Sequence, residues 1–338
     1  MKMKRLLLPI VICTCWTQLS QAQIRLGNDT TVAFATVEEA RRILAAPDDF
    51  VRRMSPFDRA ARMKTDRDVS EKEYLEFVGK NVLAWSDREK QKMTSAFLGI
   101  QNQLGALSLP FPKTVFMIKT TGKEEGRAAY TRANAIILPQ ADLAAPTSRT
   151  QKTICHELFH IMSRANPQLR DKLYAIIGFV KCDEVAFPKV LTSRKLTNPD
   201  APRNDHCIGL QANGKACWAI PILFSSTEKY DANRGGEFFH YLQFQFLLVH
   251  RDNNTLAVSA IYDGLEPALV EMKHISGFYE QVGRNTGYII HPEEILADNF
   301  ALLVLAQKNV RSPQILDDMR TILADNRTTK RETLSDSQ

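Results

Sequence analysis

The chain has 338 residues, enough for one large domain or two modest ones, and its composition is that of an ordinary globular protein. The formal net charge is +6, but Lys2, Lys4 and Arg5 belong to an expected leader, so the mature protein carries about +3. Lysines and arginines are scattered among acidic residues. We therefore expect no nucleic-acid partner, because such partners need a concentrated basic surface.

The N-terminus is typical of a secretory signal peptide. A basic start is followed by an apolar run from Leu6 to Trp16, and Ser20-Gln21-Ala22 places small residues before an expected cleavage between Ala22 and Gln23. The apolar run is short for a bilayer span, and no later stretch reaches 18 apolar residues. We expect residues 1–22 to be removed, giving a secreted or periplasmic protein without stable membrane insertion. An uncleaved N-terminal anchor is the alternative.

Residues 23–110 are predicted to form a mainly helical N-terminal region. After a short strand candidate at 24–34, capping-box signatures begin at Thr36, Ser70 and Ser86, each with a glutamate three residues later. These signatures predict helices over 36–46, 70–80 and 87–105. The charged residues of this region indicate solvated helix faces rather than a binding surface.

From about residue 111 the pattern changes to mixed strands and helices. Strands are predicted at 114–118 and 130–138, and a helix runs from after Ser148 to about Arg164. Asn213-Gly214 predicts a hairpin turn. We expect an α+β catalytic domain over 111–326 and a disordered tail at 327–338. Later strands are predicted at 217–224, 237–250 and 255–262, and later helices at 166–179, 292–305 and 313–324.

One short motif carries most of the chemistry. His156-Glu157-x-x-His160 places two histidines four residues apart, about 40° apart around a helix, so both imidazoles can bind one Zn²⁺. Glu157 lies about 100° from His156, within reach of a metal-bound water. The alternative is an amphipathic helix whose histidines merely face solvent. The opposite helix face is apolar and is predicted to pack on a core, with Cys155 as a buried thiol beside Ile154, Leu158, Ile161 and Met162.

A second motif offers the third ligand that a catalytic zinc normally takes. Glu294 and Asp298 are four residues apart and share a helix face with Ala301. One carboxylate can bind the metal while the other orients a ligand histidine. Alternatively, Glu293 and Glu294 lie in a first helical turn because the helix dipole favours acids there. Other third ligands stay open, namely Asp183, Glu184, His206, Glu237 and His240.

Together the two motifs, His156-Glu157-x-x-His160 and Glu294-x-x-Ala297-Asp298, resemble the gluzincin metallopeptidases, most closely M48-type peptidases and their relatives. The resemblance implies a zincin-like metallopeptidase fold with a long strand and loop insertion between the two metal-binding helices. It implies one Zn²⁺ per chain on His156, His160 and Glu294, with Glu157 as general base and Asp298 holding His156. It also implies a peptide or protein substrate. The separation of the two motifs, about 130 residues, is longer than in the best-known gluzincins.

Catalysis by such a site usually needs a second donor to the oxyanion. Tyr288 and His291 are the nearest candidates in sequence to the Glu294 helix, and His274 and Tyr279 are more distant ones. Each has a plain packing or capping alternative. The predicted strand from Arg132 to Leu138 precedes the metal helix, and we expect it either to pair with extended substrate or to be a plain core strand.

Four cysteines remain after the leader, and export permits a disulfide. We predict a bridge from Cys182 to Cys207 or to Cys217. A hairpin about Asn213-Gly214 places Leu210 opposite Cys217, which disfavours a direct bridge between Cys207 and Cys217. A second, structural zinc site is the alternative, and it would use Cys182, His206, Cys207 and Cys217.

These features predict an exported zinc-dependent metallopeptidase that hydrolyses peptide bonds through a zinc-activated water, with Glu157 as general base. Two alternatives stay open. One is a zinc hydrolase that acts on a non-protein amide of the cell-wall type. The other is a catalytically idle zincin-like binding protein, against which the intact Glu157 argues.

Overall fold

The computed structural model describes residues 24–26, 30–107 and 109–335, with the backbone alone from 325 to 335. The predicted signal peptide and its cleavage site lie outside the described residues. Within them the fold is mixed α+β, built from two main sheets and a central group of helices. None of the described helices combines the length and apolar character needed to cross a membrane.

The first sheet has six strands in the order β1-β2-β4-β6-β5, with β3 also paired to β4. Strands β2, β4 and β6 are parallel, whereas β1, β3 and β5 run antiparallel to their neighbours. β2 precedes most of the N-terminal helices and β4 follows them, so this region and the next share one sheet. The strands are β1 Ile24–Leu26, β2 Thr30–Phe34, β3 Val82–Leu83, β4 Thr114–Thr120, β5 Tyr130–Arg132 and β6 Ala135–Pro139.

The single strand predicted at 130–138 is wrong, because the structure has a hairpin there. β5 and β6 pair antiparallel with Arg132 opposite Ala135, and Ala133 takes a positive φ of 50° in the turn. Asn134 stabilises the turn by donating its side-chain amide to the Thr114 carbonyl, 2.8 Å away. Residues 130–132 and 135–139 are all buried. The turn at Ala133-Asn134 contains neither glycine nor proline, so the sequence does not mark the point where the chain reverses.

The three predicted capping boxes are confirmed at Thr36, Ser70 and Ser86. The helix predicted over 87–105 is interrupted, with the first segment capped at Gly99 and the second beginning after Ile100. Two further helices, α2 and α3, escaped prediction because they are short. The helices of this region are α1 Val37–Leu44, α2 Asp49–Arg53, α3 Pro56–Arg62, α4 Glu71–Lys80, α5 Asp87–Leu98 and α6 Gln101–Ala106.

The remaining helices surround the two motifs. α7 and α10 pack against each other through the core, where the rings of Phe159 and Phe300 lie 5.8 Å apart. The last helix runs to Ser335, so its backbone extends into the tail predicted at 327–338. Residues 336–338 lie outside the described residues. These helices are α7 Thr147–Ala165, α8 Pro167–Ile176, α9 Phe278–Val282, α10 Pro292–Val304 and α11 Pro313–Ser335.

The insertion between α8 and α10 forms a second, antiparallel sheet of seven strands, and β12 pairs with β13 alone. Its β8-β9 hairpin turns at Asn213-Gly214 with Leu210 opposite Cys217, as predicted. The strand predicted over 237–250 begins only at Leu242, after a 3-10 helix. The strands are β7 Phe179–Lys181, β8 His206–Ala212, β9 Lys215–Ser225, β10 Leu242–Arg251, β11 Val258–Ala260, β12 Tyr262–Asp263, β13 Glu266–Pro267, β14 Leu269–Val270 and β15 Ile275–Ser276.

The predicted disulfide is absent from the described residues, where all four cysteines are free thiols. Cys182 and Cys207 belong to one apolar cluster of the insertion, whereas Cys217 packs against the main core. A bridge from Cys182 to Cys217 is therefore excluded by the packing. The alternative of a structural zinc site is also wrong, because both ring nitrogens of His206 contact carboxylates, one of Asp205 and one of Asp171.

Candidate metal centre

Helices α7 and α10 bring the two sequence motifs together. His156 Nε2 lies 3.1 Å from Glu294 Oε2, and His160 Nε2 lies 3.6 Å from the same oxygen. The potential ligand atoms of His156, His160 and Glu294 all fall within 4.8 Å of one another. Three donors from positions up to 138 residues apart therefore converge on one point.

These residues fit a zinc ion. Two imidazoles and a carboxylate are a usual donor set for catalytic zinc. His160 Nε2 and Glu157 Oε2 are both buried, and neither has a hydrogen-bond partner among the described residues. A buried polar atom without a partner costs about 1–3 kcal/mol. His160 offers a ligand atom to the convergence point, and a carboxylate oxygen of Glu157 lies within 4.8 Å of a ring nitrogen of His160, so a metal ion and its ligand water would satisfy both residues.

Asp298 lies where the sequence placed it, next to the first histidine. Its Oδ1 is 3.2 Å from His156 Nδ1, and its Oδ2 accepts a hydrogen bond from the Thr286 hydroxyl. Because Nδ1 faces Asp298, the other ring nitrogen of His156 is directed at Glu294. This contact fixes the orientation of the ring that would bind metal.

Glu293 holds the second histidine in the same way, although its place in the sequence predicts only an acid of the first helical turn. Its Oε1 is 3.0 Å from His160 Nδ1, while Oε2 accepts hydrogen bonds from Ser163 and Tyr174. Each histidine therefore has its own carboxylate. Glu293 is fully buried. The sequence signal that could have predicted its role is the presence of two adjacent glutamates opposite a motif with two histidines.

A loop of the insertion also reaches the centre. Asn198 donates its side-chain amide to Glu294 Oε1 at 2.6 Å, leaving Oε2 for the metal position. Asp200 accepts from the Thr131 N–H at 2.8 Å, and its carboxylate lies within 4.8 Å of the ligand atoms of Glu157 and His160. These two residues were not predicted, since they lie in a turn-rich loop with no ligand spacing to either motif.

Burial competes with hydrogen bonds and neighbouring charges in setting the pKa values of the centre. Burial raises the pKa of Glu157, and the nearby charge of Asp200 raises it further. Burial opposes the charged form of His156, but hydrogen bonds with Asp298 and Glu294 raise its pKa to about 10. Burial also opposes ionisation of Glu294, yet the charges of His160 and His156 and the hydrogen bonds with both rings together lower that pKa well below its usual value. A carboxylate with a raised pKa is a stronger base, which suits Glu157 to proton transfer.

The centre opens into a cleft of about 490 Å³. His156 and Tyr288 line it, and their rings stack with centroids 6.3 Å apart. His156 is 15% exposed there, whereas His160 is fully buried. Three basic side chains also line the cleft, namely Arg127, Arg149 and Lys152. A substrate would therefore approach from the His156 side, past Tyr288.

The other predicted oxyanion donors lie elsewhere. His291 is the N-cap of α10, where its Nδ1 accepts from the Glu293 N–H at 3.1 Å and its Nε2 lies 3.3 Å from the Arg203 carbonyl. Burial lowers the pKa of His291 to about 4, so the ring is neutral. Its predicted catalytic role is therefore corrected to capping. His274 is exposed at the end of a 3-10 helix, and Tyr279 packs under Arg284, both away from the cleft lining.

The alternative third ligands are also corrected. Glu184 pairs with Arg53, and Glu237 pairs with Lys64. His206 is held by two aspartates. Among the described residues, the metal-ligating groups include none of these, nor Asp183 or His240.

The strand predicted from Arg132 to Leu138 does not offer a free edge to an extended substrate. β6 lies inside the first sheet, and β5 forms its edge. The N–H of Thr131 on that edge is already bound by Asp200. Residues 127–129, immediately before β5, line the cleft instead.

No protein-family model, no curated protein and no solved structure matches the chain. Its function is therefore inferred from the geometry of the metal centre.

Proposed function

We propose that the protein is a zinc-dependent metallopeptidase of the gluzincin kind, with a zincin-like fold. The observation that carries this proposal is the convergence of His156, His160 and Glu294, with Glu157 beside them. An amphipathic helix with solvent-facing histidines would need neither a buried His160 nor a distant glutamate at its ring. The adjoining cleft gives a substrate access to the same point.

Each residue has a role in this proposal. His156, His160 and Glu294 hold one zinc ion, which supplies Lewis-acid activation of water and of the scissile carbonyl. Glu157 takes the proton of the attacking water and delivers it to the leaving amine. Tyr288 presents its side chain from the cleft wall and donates its hydroxyl to the scissile carbonyl oxygen.

The surrounding carboxylates prepare the ligands. Asp298 and Glu293 each bind the Nδ1 of one histidine, so both Nε2 atoms face the metal position. Asn198 binds one oxygen of Glu294 and leaves the other for the metal. Because these partners lie on α10 and on a loop that Arg164 anchors, the donor set is ordered before metal binds. The signal-like leader supports export of the mature protein.

The test compares the wild type with Glu157→Gln and with Glu228→Gln, a matched change of an exposed glutamate. Metal analysis and hydrolysis of denatured casein are measured on each protein. We expect one zinc per chain in all three and a loss of about 10²–10⁴-fold in rate for Glu157→Gln alone.

Equal hydrolysis by wild type and Glu157→Gln would refute the assigned mechanism. Bound zinc without hydrolysis in any of the three would refute the peptidase proposal. It would favour a binding scaffold or another amide substrate.

A further inference from the structure

A small side pocket opens beside the metal cleft. It has a volume of about 50 Å³ and shares Asp200, Tyr288 and Ala129 with the cleft lining. A substrate that reaches the metal position therefore passes its mouth. Much of the remaining wall is apolar, with Leu196, Leu223, Phe238, Phe239, Leu242 and Ile290. Its polar residues are Arg62, Glu125, Tyr130, Thr197 and Asn198.

The wall is assembled from separate parts of the chain. Leu196 and Phe238 come from the insertion and pack with Phe57 and Tyr241 in one apolar cluster. Ile290 comes from the segment just before α10 and is only half-buried. The packing of Leu196 and Phe238 in this buried cluster holds that part of the pocket wall in place.

The charged groups of the lining are already bound by other residues of the chain. Asp200 accepts hydrogen bonds from the N–H and the hydroxyl of Thr131, and Arg62 pairs with Glu125. Arg62 is fully buried, and it binds Glu125 through two hydrogen bonds of 2.9 and 2.7 Å. It also binds Asp58, and it donates to the Thr197 carbonyl at 3.1 Å. These groups have little capacity left for a charged ligand, so the pocket selects for apolar contact.

The volume sets the size of the occupant. A water-sized group needs about 10–15 Å³ in such a cavity, so about 50 Å³ takes about four of them. The side chains of valine, leucine and isoleucine have three or four carbon atoms and match this space. Alanine leaves most of it empty, and an aromatic ring exceeds it.

We propose that this pocket binds one branched aliphatic side chain of a peptide substrate and thereby sets the cleavage specificity. This proposal rests on the metallopeptidase function proposed above. Burial of the side chain in the pocket would hold the neighbouring peptide bond beside Glu157 and Tyr288. The selected residue is therefore close to the scissile bond.

The first experiment digests a peptide library, randomised along its length, with the zinc-loaded full chain and identifies the products by mass spectrometry. We expect one position near the cleavage site to be enriched in valine, leucine and isoleucine. For a matched peptide pair, leucine at that position should exceed alanine by roughly 10- to 100-fold in kcat/KM.

Two variants of Ile290 then test the pocket in opposite directions. Ile290→Phe fills the space and should reduce the ratio of kcat/KM for leucine peptides to that for alanine peptides by at least about tenfold. Ile290→Ala enlarges the space and should raise the ratio of kcat/KM for phenylalanine peptides to that for leucine peptides by about tenfold. Ile289→Ala is the matched control, because Ile289 packs on the main core and does not line the pocket. Unchanged ratios in both Ile290 variants would overturn the proposal.

Binding of uncleaved peptides to Glu157→Gln, measured by calorimetry, separates this proposal from the peptidase function. Leucine peptides that bind at least tenfold tighter than alanine peptides, without cleavage by the wild type, would keep the pocket and refute hydrolysis. Cleavage of both peptides at equal rates would keep hydrolysis and refute the pocket.

Discussion

Glu293 offers a sharp test of the metal centre, because the site depends on it without using it as a ligand. Its carboxylate accepts from His160 Nδ1 on one oxygen and from Ser163 and Tyr174 on the other. Glu293→Gln keeps the shape but removes the charge. Hydrogen bonds to a charged group contribute about 1.5–3 kcal/mol, roughly twice the neutral value.

The amide of Glu293→Gln also brings an N–H₂ group towards one of these donor groups. The contact with His160 therefore weakens, and the ring loses its fixed orientation. Removing such a partner of a metal-binding histidine costs about 10–100-fold in metal affinity. We expect the zinc dissociation constant to rise by that factor.

The measurement is a zinc competition titration against a chromophoric chelator. Glu280→Gln is the control. Glu280 is exposed, and its ion pair with Arg284 is long at 4.0 Å. Circular dichroism checks that each variant is folded. A zinc affinity of folded Glu293→Gln within twofold of wild type would refute the role assigned to this carboxylate.

Two further changes probe the insertion loop and the buried carboxylates. Asn198→Ala removes the 2.6 Å hydrogen bond to Glu294 and should weaken zinc binding about 10–100-fold in the same titration. Asn204→Ala is the control, because it loses only a side-chain hydrogen bond to the Pro221 carbonyl and should leave zinc binding unchanged. Glu124 is buried, and burial raises its pKa from 4.5 to about 7, so its folded form keeps a proton that the unfolded chain has lost. Stability should therefore fall by about 3 kcal/mol as pH rises from 4.5 to 7. Urea denaturation should show Glu124→Gln gaining on wild type across that window, and a constant difference would contradict the assignment.

The local parts of the structure could be predicted from the sequence. Capping boxes at Thr36, Ser70 and Ser86 open helices because the side chains involved are three residues apart. The Asn213-Gly214 turn fixed the hairpin register, since Asn and Gly tolerate positive φ. The four-residue spacing of His156 and His160 on α7, and of Glu294 and Asp298 on α10, predicted which residues share a helix face.

The parts that escaped prediction depend on contacts distant in sequence. Asn198 reaches Glu294 across 96 residues, and Asp200 reaches Thr131 across 69. Neither contact leaves a local pattern, because the loop that carries them is positioned by the insertion sheet and by Arg164. The hairpin of β5 and β6 was missed for a different reason, namely that its turn at Ala133-Asn134 lacks the glycine or proline that usually marks a chain reversal.

In the proposed function, His156, His160 and Glu294 hold one zinc ion across the insertion. Zinc content by mass spectrometry, in wild type and in Glu294→Ala after dialysis against a weak chelator, tests it most directly. We predict one zinc per chain in the wild type and a loss of stoichiometric zinc in the variant. One zinc per chain in folded Glu294→Ala would contradict the claim and place the third ligand elsewhere.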